Sequence, residues 1–367
     1  MVIRVFGLSI VITIASLAAA FFYGATTGNA LEALVLCAIL GVLEVSLSFD
    51  NAVINATILE RMSEFWQKIF LTIGILIAVF GMRLVFPLAI VWVTAGLGPV
   101  AAFDLALNPP PEGSGQPSYE ELLTSAHPQI AAFGGMFLLM LFLNYIFEDR
   151  EIKWLTWLEA PLAKLGKLDQ LAVVVAGVAL VLAAEFLAPE GQSETVLLAG
   201  ILGLITYITV DGLGSMFHPE DHTGPSEAVK ATGKAGFFLF LYLEVLDASF
   251  SFDGVIGAFA ITADPIIIAL GLGFIGAMFV RSITVYLVRR GTLGEYVYLE
   301  HGAHWAIGAL AFILLVSIGV HINEIITGLV GVFLIGAAFL SSVRRNRRED
   351  AEPEELKSAE TAEAAEA

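Results

Sequence analysis

The chain has 367 residues, of which 57% are hydrophobic and 15% charged, and its formal net charge at pH 7 is -18. Soluble domains hold an apolar share of about 45–50%, so a mean hydropathy of +0.84 marks a chain whose solvent is lipid. The acidic balance excludes nucleic acid as a partner, and the single cysteine, Cys37, excludes an intrachain disulfide or a thiolate metal cluster.

Apolar windows of roughly the 20 residues that a membrane-crossing helix needs fall at 5–25, 33–59, 69–93, 130–148, 170–188, 195–216, 236–262, 265–288, 303–320 and 323–342. They predict an all-α polytopic membrane protein of about ten transmembrane helices. Residues 1–30 read as a retained first helix, an uncleaved signal anchor, with a cleaved signal peptide as the alternative.

Lys and Arg accumulate in cytoplasmic loops. Arg4, Arg61, Lys68, Arg150, Lys153, Lys164, Lys167, Lys230, Lys234, Arg289, Arg290 and the basic cluster at 344–348 all fall on one side of the ten-helix arrangement, whereas connections 26–32, 94–129, 189–194, 263–264 and 321–324 hold neither residue type. Both termini are therefore expected in the cytoplasm of a bacterial-type inner membrane. The outer connection 94–129 is rich in Pro, Gly and Ser around 108–118 and reads as an extended loop. Residues 149–169, where charges alternate with Trp154, Leu155, Trp157 and Leu158, read as an amphipathic segment at the lipid headgroups. Residues 170–235 form connecting helices, and the Ala- and Glu-rich tail at 343–367 is expected to be disordered.

An internal repeat lies inside two of the apolar windows. Glu44, Ser46, Ser48, Phe49, Asp50 and Asn51 match Asp247, Ser249, Ser251, Phe252, Asp253 and Gly254 at the same spacing, and an apolar segment with one arginine, Arg83 or Arg281, follows each copy. The loop charges make the two copies antiparallel. This predicts inverted repeats at 31–148 and 236–342, the arrangement in which secondary transporters build a substrate site between halves near the bilayer midplane.

A carboxylate at the centre of a membrane helix costs about 2.5–3.5 kcal/mol on insertion scales, so such residues face a cavity or a partner. At about 100° per residue, Glu44, Ser48, Asn51 and Asn55 share one helix face and Ser46 and Asp50 another; Asp247, Ser251 and Gly254 oppose Ser249 and Asp253 in the second copy. Either the two stripes meet different neighbours, or the helix unwinds and brings the acids together. Carboxylate, hydroxyl and amide oxygens are hard ligands that suit Mn²⁺, Mg²⁺ or Ca²⁺. The candidate metal-ligating residues are Glu44, Asp50, Asn51, Asp247 and Asp253, supported by Ser48, Asn55, Ser251, Arg83 and Arg281. The arginines either pair with the acids when no cation is present or snorkel to the interface, and the serines read as interhelical hydrogen-bonding groups.

Glu185 reads as a helix-end residue, and Asp211 extends the list of intramembrane acids. His218, His222, His301 and His304 read as ordinary loop histidines. There is no phosphate-binding loop of the Gly-x-x-x-x-Gly-Lys-[Ser/Thr] type, so uphill transport would draw on an ion gradient. No tightly bound cofactor and no enzymatic chemistry are expected.

The two motifs, each followed by its arginine-bearing segment, resemble the signature of the TerC family of integral membrane proteins, with this chain as an outlying branch. The resemblance spans about residues 31–340, with Asp253, Gly254 and Val255 standing where that family usually has Asp-Ser and then Ile-Pro. Members are associated with tellurium resistance and manganese efflux, and are related to the lysine-exporter superfamily. The resemblance implies Mn²⁺ as substrate and gives Glu44, Asp50, Asn51, Asp247 and Asp253 the role of cation ligands or proton-coupling acids. The expected function is thus export of a divalent cation in possible exchange for protons. The alternative is a non-transporting membrane partner protein in metal or tellurite stress response. A homo-oligomer or a larger membrane complex is compatible with either.

Overall fold

Lipid cannot satisfy backbone N–H and C=O groups, so a chain this apolar must close its hydrogen bonds within helices. The computed structural model describes all residues except 1, 48, 75–76, 78–80, 83–84, 112–113, 217–229, 260, 263, 291–295, 323 and 367. Some helical residues are described by backbone alone, among them 46–47, 49–50, 251–253 and 349–366.

In chain order the helices are α1 (Val2–Thr27), α2 (Ala30–Leu47), α3 (Phe49–Glu60) and α4 (Glu64–Ile69), which runs into a π-helical turn (Phe70–Gly74). Then come α5 (Phe86–Thr94), α6 (Pro99–Leu107), α7 (Tyr119–Ser125), α8 (His127–Phe147), α9 (Thr156–Leu165), α10 (Leu171–Phe186), α11 (Ser193–Met216) and α12 (Gly233–Phe259). After α13 (Pro265–Ile268) a second π-helical stretch (Ala269–Gly276) leads into α14 (Ala277–Arg290), followed by α15 (Leu299–Ser317) and α16 (Glu324–Glu366). Among the described residues the only β-pairing is an isolated bridge between Met62 and Ala231.

Among the described residues six segments are long and apolar enough to cross a membrane: Val5–Thr26, His127–Phe147, Ser193–Leu213, Pro265–Val288, Leu299–Ser317 and Ile326–Arg348, with Leu171–Phe186 as a shorter apolar helix. The protein is a multi-pass membrane protein. Its surface agrees with lipid as solvent. On α10 the small Ala172, Ala176, Ala183 and Ala184 are buried while Val174, Val178, Val181, Leu182 and Phe186 face outward, since in lipid helices associate through small residues that allow close approach.

The larger core forms around α8, whose Met136, Phe137 and Leu138 are fully buried. α11 and α15 approach it through glycines. A Cβ on Gly203 would lie 2.2 Å from the Phe133 carbonyl oxygen, and one on Gly308 would lie 2.7 Å from the Phe142 ring. A smaller core joins Cys37 and Leu40 of α2 to Ala258 of α12 and Leu272 of the second π-helical stretch. Cys37 is a packing residue, as its apolar surroundings in the sequence suggest.

Connection 94–129 departs from the expected extended loop. It contains α6 and α7, and Ala102, Tyr119 and Leu123 are buried in the smaller core. Local chemistry accounts for this: Pro99 opens α6, and Ser118 and Glu121 form a reciprocal capping box at α7. The 149–169 segment is fastened by Glu159. Its carboxylate accepts hydrogen bonds from the backbone N–H groups of Trp154 and Leu155 and from Trp305 Nε1, at 3.0, 3.2 and 3.0 Å. The tail, expected to be disordered, continues as helix to Glu366, consistent with the strong helix propensity of Ala and Glu.

The helices that carry the two motifs pack crosswise. α3 lies against α14, which follows the second motif, and α12 lies against α4 and the Phe70–Gly74 turn, which follow the first.

Candidate functional site

The motif residues are held by α2, α3 and α12. Glu44 lies one turn from the end of α2, Asn51 and Asn55 lie on α3, and Asp247 sits in the middle of α12. Each is more than nine-tenths buried. Asn55 Nδ2 donates a 2.8 Å hydrogen bond to Asp247 Oδ1, joining the helix just after the first copy to the second copy.

Glu44 also reaches the other copy. An ideal Cβ on Gly254 would lie 3.0 Å from Glu44 Oε2, and one on Gly276 would lie 2.0 Å from Glu44 Cγ. The sequence difference between Asn51 and Gly254 thus has a steric reason: the second copy carries no side chain where the first copy's carboxylate lies.

The second motif sits inside one uninterrupted helix, α12, so its two stripes meet different neighbours. Asp247 faces Asn55, whereas Ser249 Oγ donates to the Val245 carbonyl at 3.0 Å within its own helix. The first copy is divided between α2 and α3, with Ser48 between them outside the described residues. Arg83 lies outside the described residues, and the side chains of Asp50, Ser251 and Asp253 are likewise not described. Arg281 Nε donates a 3.0 Å hydrogen bond to the Leu71 carbonyl, tying α14 to the first π-helical turn. Such wide turns occur often at functional sites.

A residue outside the motif joins this region. Glu244, one turn before Asp247 on α12, is 6% exposed, and neither carboxylate oxygen has a hydrogen-bond partner among the described residues. A Cβ on Gly74, in the first π-helical turn, would lie 2.6 Å from Glu244 Oε1. Glu44 likewise lies over a π-helical glycine, Gly276, there by its Cβ and Cγ. An ungapped match sets Glu44 against Asp247 and passes over Glu244. The overlooked signal is the recurrence of Leu43, Glu44 and Val45 as Leu243, Glu244 and Val245, displaced by three residues from the motif alignment.

A cavity of about 260 Å³ approaches the same helices; Ile54 and Arg61 of the α3 end, Asp211 of α11, Tyr242 of α12 and His304 of α15 line it. Ile54 adjoins Asn55, and Tyr242 is two residues from Glu244. At its rim Arg150 stands 4.0 Å from the Tyr145 ring centroid and 3.6 Å from Glu300 Oε1, while Tyr145 stacks on His304 at 3.5 Å.

His301 and His304 are thus helical and packed, not loop residues. His301 Nδ1 is 3.2 Å from Glu159 Oε2, although off hydrogen-bonding geometry. His218 and His222 lie outside the described residues. Glu185 is exposed near the end of α10, as a helix-end residue would be.

Among the described residues, no three His, Cys, Asp or Glu side chains converge closely enough to hold a metal ion together. The described donor set nevertheless offers three carboxylates, Glu44, Glu244 and Asp247, and two amides, Asn51 and Asn55. This is the hard-oxygen chemistry that Mn²⁺, Mg²⁺ and Ca²⁺ prefer.

No curated protein and no solved structure matches this chain. The model of one family, described as a protein of unknown function (DUF475), matches residues 49–349, from within the first motif through the second copy to the end of the last membrane-length segment. By that match over well more than half its length, the chain belongs to the DUF475 family.

Proposed function

We propose that the protein is a secondary transporter that exports a divalent cation, with Mn²⁺ as the leading substrate. The observation that carries the reading is the hydrogen bond from Asn55, one turn after the first motif, to Asp247 of the second, 192 residues away, with the buried carboxylates Glu44 and Glu244 on α2 and α12. Buried acids are costly in lipid and concentrate on ion and proton pathways.

In this reading residues 31–148 and 236–342 are inverted repeats in a frame of about ten spans, with both termini in the cytoplasm of a bacterial-type inner membrane. Crosswise packing of each motif helix on the segment that follows the other motif supports it, since alternating access requires two related halves to rock about a shared site. Asp50 and Asp253 are proposed as further ligands or proton-coupling acids on the strength of the duplicated sequence. The resemblance of both motifs to the TerC signature favours Mn²⁺ and relates the chain to manganese efflux.

The test is Mn²⁺ flux into proteoliposomes containing purified protein, with a proton gradient imposed or collapsed. Wild-type protein is expected to carry Mn²⁺, and Asp50→Asn and Asp253→Asn variants to lose at least ten-fold in rate. Absence of flux for every divalent cation tried, in protein that unfolds cooperatively, would favour a membrane partner protein in metal or tellurite stress response.

A further inference from the structure

We infer that Glu244 is a direct ligand of the transported divalent cation, holding in the second half of the chain the place that Glu44 holds in the first. The inference rests on the transport reading and adds to it a residue that the motif does not contain.

Four observations converge on Glu244. Among the described residues both of its oxygens are buried without a hydrogen-bond partner, and a desolvated carboxylate without a partner is among the least favourable groups a protein can bury. Gly74 leaves the space that its Oε1 occupies, because a Cβ there would fall at 2.6 Å. Glu44 in turn packs its Cβ and Cγ over Gly276, so each glutamate lies against a glycine of the π-helical segment that follows the other motif. Finally, Glu244 and Asp247 are three residues apart on a continuous helix and so share a face, which brings the unpartnered oxygens to the acid that already bridges to Asn55.

This exchanges the correspondence drawn from the ungapped motif. Glu244 is the counterpart of Glu44 in its surroundings, and Asp247 is the added acid, engaged by the amide of Asn55. Glu244 and Asp247 then offer a cation two carboxylates from one face of α12, beside the Asn55 amide of α3. The surplus of carboxylate favours a divalent over a monovalent ion.

The experiment uses the full chain in lipid nanodiscs and Mn²⁺ as the probe. A hydrophobic carbodiimide is expected to modify Glu244 in wild-type protein, located by peptide mass spectrometry, and Mn²⁺ is expected to reduce that modification at least five-fold. In equilibrium binding, Glu244→Gln is expected to weaken Mn²⁺ at least ten-fold, with Glu244→Asp intermediate. Gly74→Ala, which removes the space and not the acid, is expected to weaken it in the same direction. Wild-type binding that Glu244→Gln leaves unchanged, or modification of Glu244 that Mn²⁺ does not reduce, overturns the inference and leaves the transport reading standing. Wild-type protein that binds no divalent cation overturns both.

Discussion

Asn55 donates to Asp247 at 2.8 Å, and the bond is buried and spans 192 residues of sequence. It links α3, just after the first motif, to the leading acid of the second, so it reports on the contact between two helices far apart in sequence and not on either helix alone. Interhelical hydrogen bonds in membranes average ~0.6 kcal/mol, but a buried charged acceptor raises the contribution. A double-mutant cycle with Asn55→Ala and Asp247→Ala is expected to give a coupling of about 1–2 kcal/mol. Reversible unfolding in detergent measures it; additive effects would mean that the two residues act independently.

Gly276 packs closely against the stem of Glu44. Adding a Cβ there would place it 2.0 Å from Cγ and 2.6 Å from Cβ of Glu44, and those atoms lie too near the α2 backbone to swing away freely. Gly276→Ala is expected to destabilise the protein by about 1–3 kcal/mol through overpacking and to weaken Mn²⁺ binding as strongly as Glu44→Gln does. Parallel melting and binding measurements separate the two effects.

Arg281 holds the Leu71 carbonyl in the first π-helical turn at 3.0 Å through Nε. A lysine keeps the charge and loses the planar donor set. Arg281→Lys is expected to cost about 1–2 kcal/mol and to raise hydrogen exchange across residues 70–74. Unchanged exchange there would show that the bond does not maintain the turn.

Glu159 satisfies two backbone N–H groups and the Trp305 indole from a buried position. Glu159→Ala leaves three donors without it and is expected to cost about 3–5 kcal/mol, in the range for breaking a buried charged contact. Tryptophan fluorescence during unfolding reads the loss directly. Mn²⁺ binding by the folded fraction is expected to stay at the wild-type level, since Glu159 belongs to the packing of α9 on α15 and not to the motif.

Much of this was legible in the sequence because lipid imposes a simple rule. Long apolar windows at 130–148 and 303–320 had to become helices such as α8 and α15, and an acid in the middle of an apolar window, such as Asp247, had to be buried. Connection 94–129 was harder to read because its helices are too short to register as apolar windows; the capping pair Ser118 and Glu121 was the available local signal. Glu244 was missed for a geometric reason. An ungapped repeat assumes equal spacing, whereas the second half carries its first glutamate three residues earlier, nearly one helical turn, and only the packing of Glu44 on Gly276 and Glu244 on Gly74 exposes the correspondence. The packing of His301 and His304 was likewise invisible, since it depends on Tyr145 and Glu159, some 150 residues away in the chain.

The central claim is that the two motif copies form one shared cation site, and the stoichiometry of Mn²⁺ binding to purified protein in nanodiscs tests it most directly. The account predicts one Mn²⁺ per chain, with binding weakened at least ten-fold by Glu44→Gln alone and by Asp247→Asn alone, because each half supplies part of a single site. Two ions per chain, with each substitution removing one and sparing the other, would contradict it.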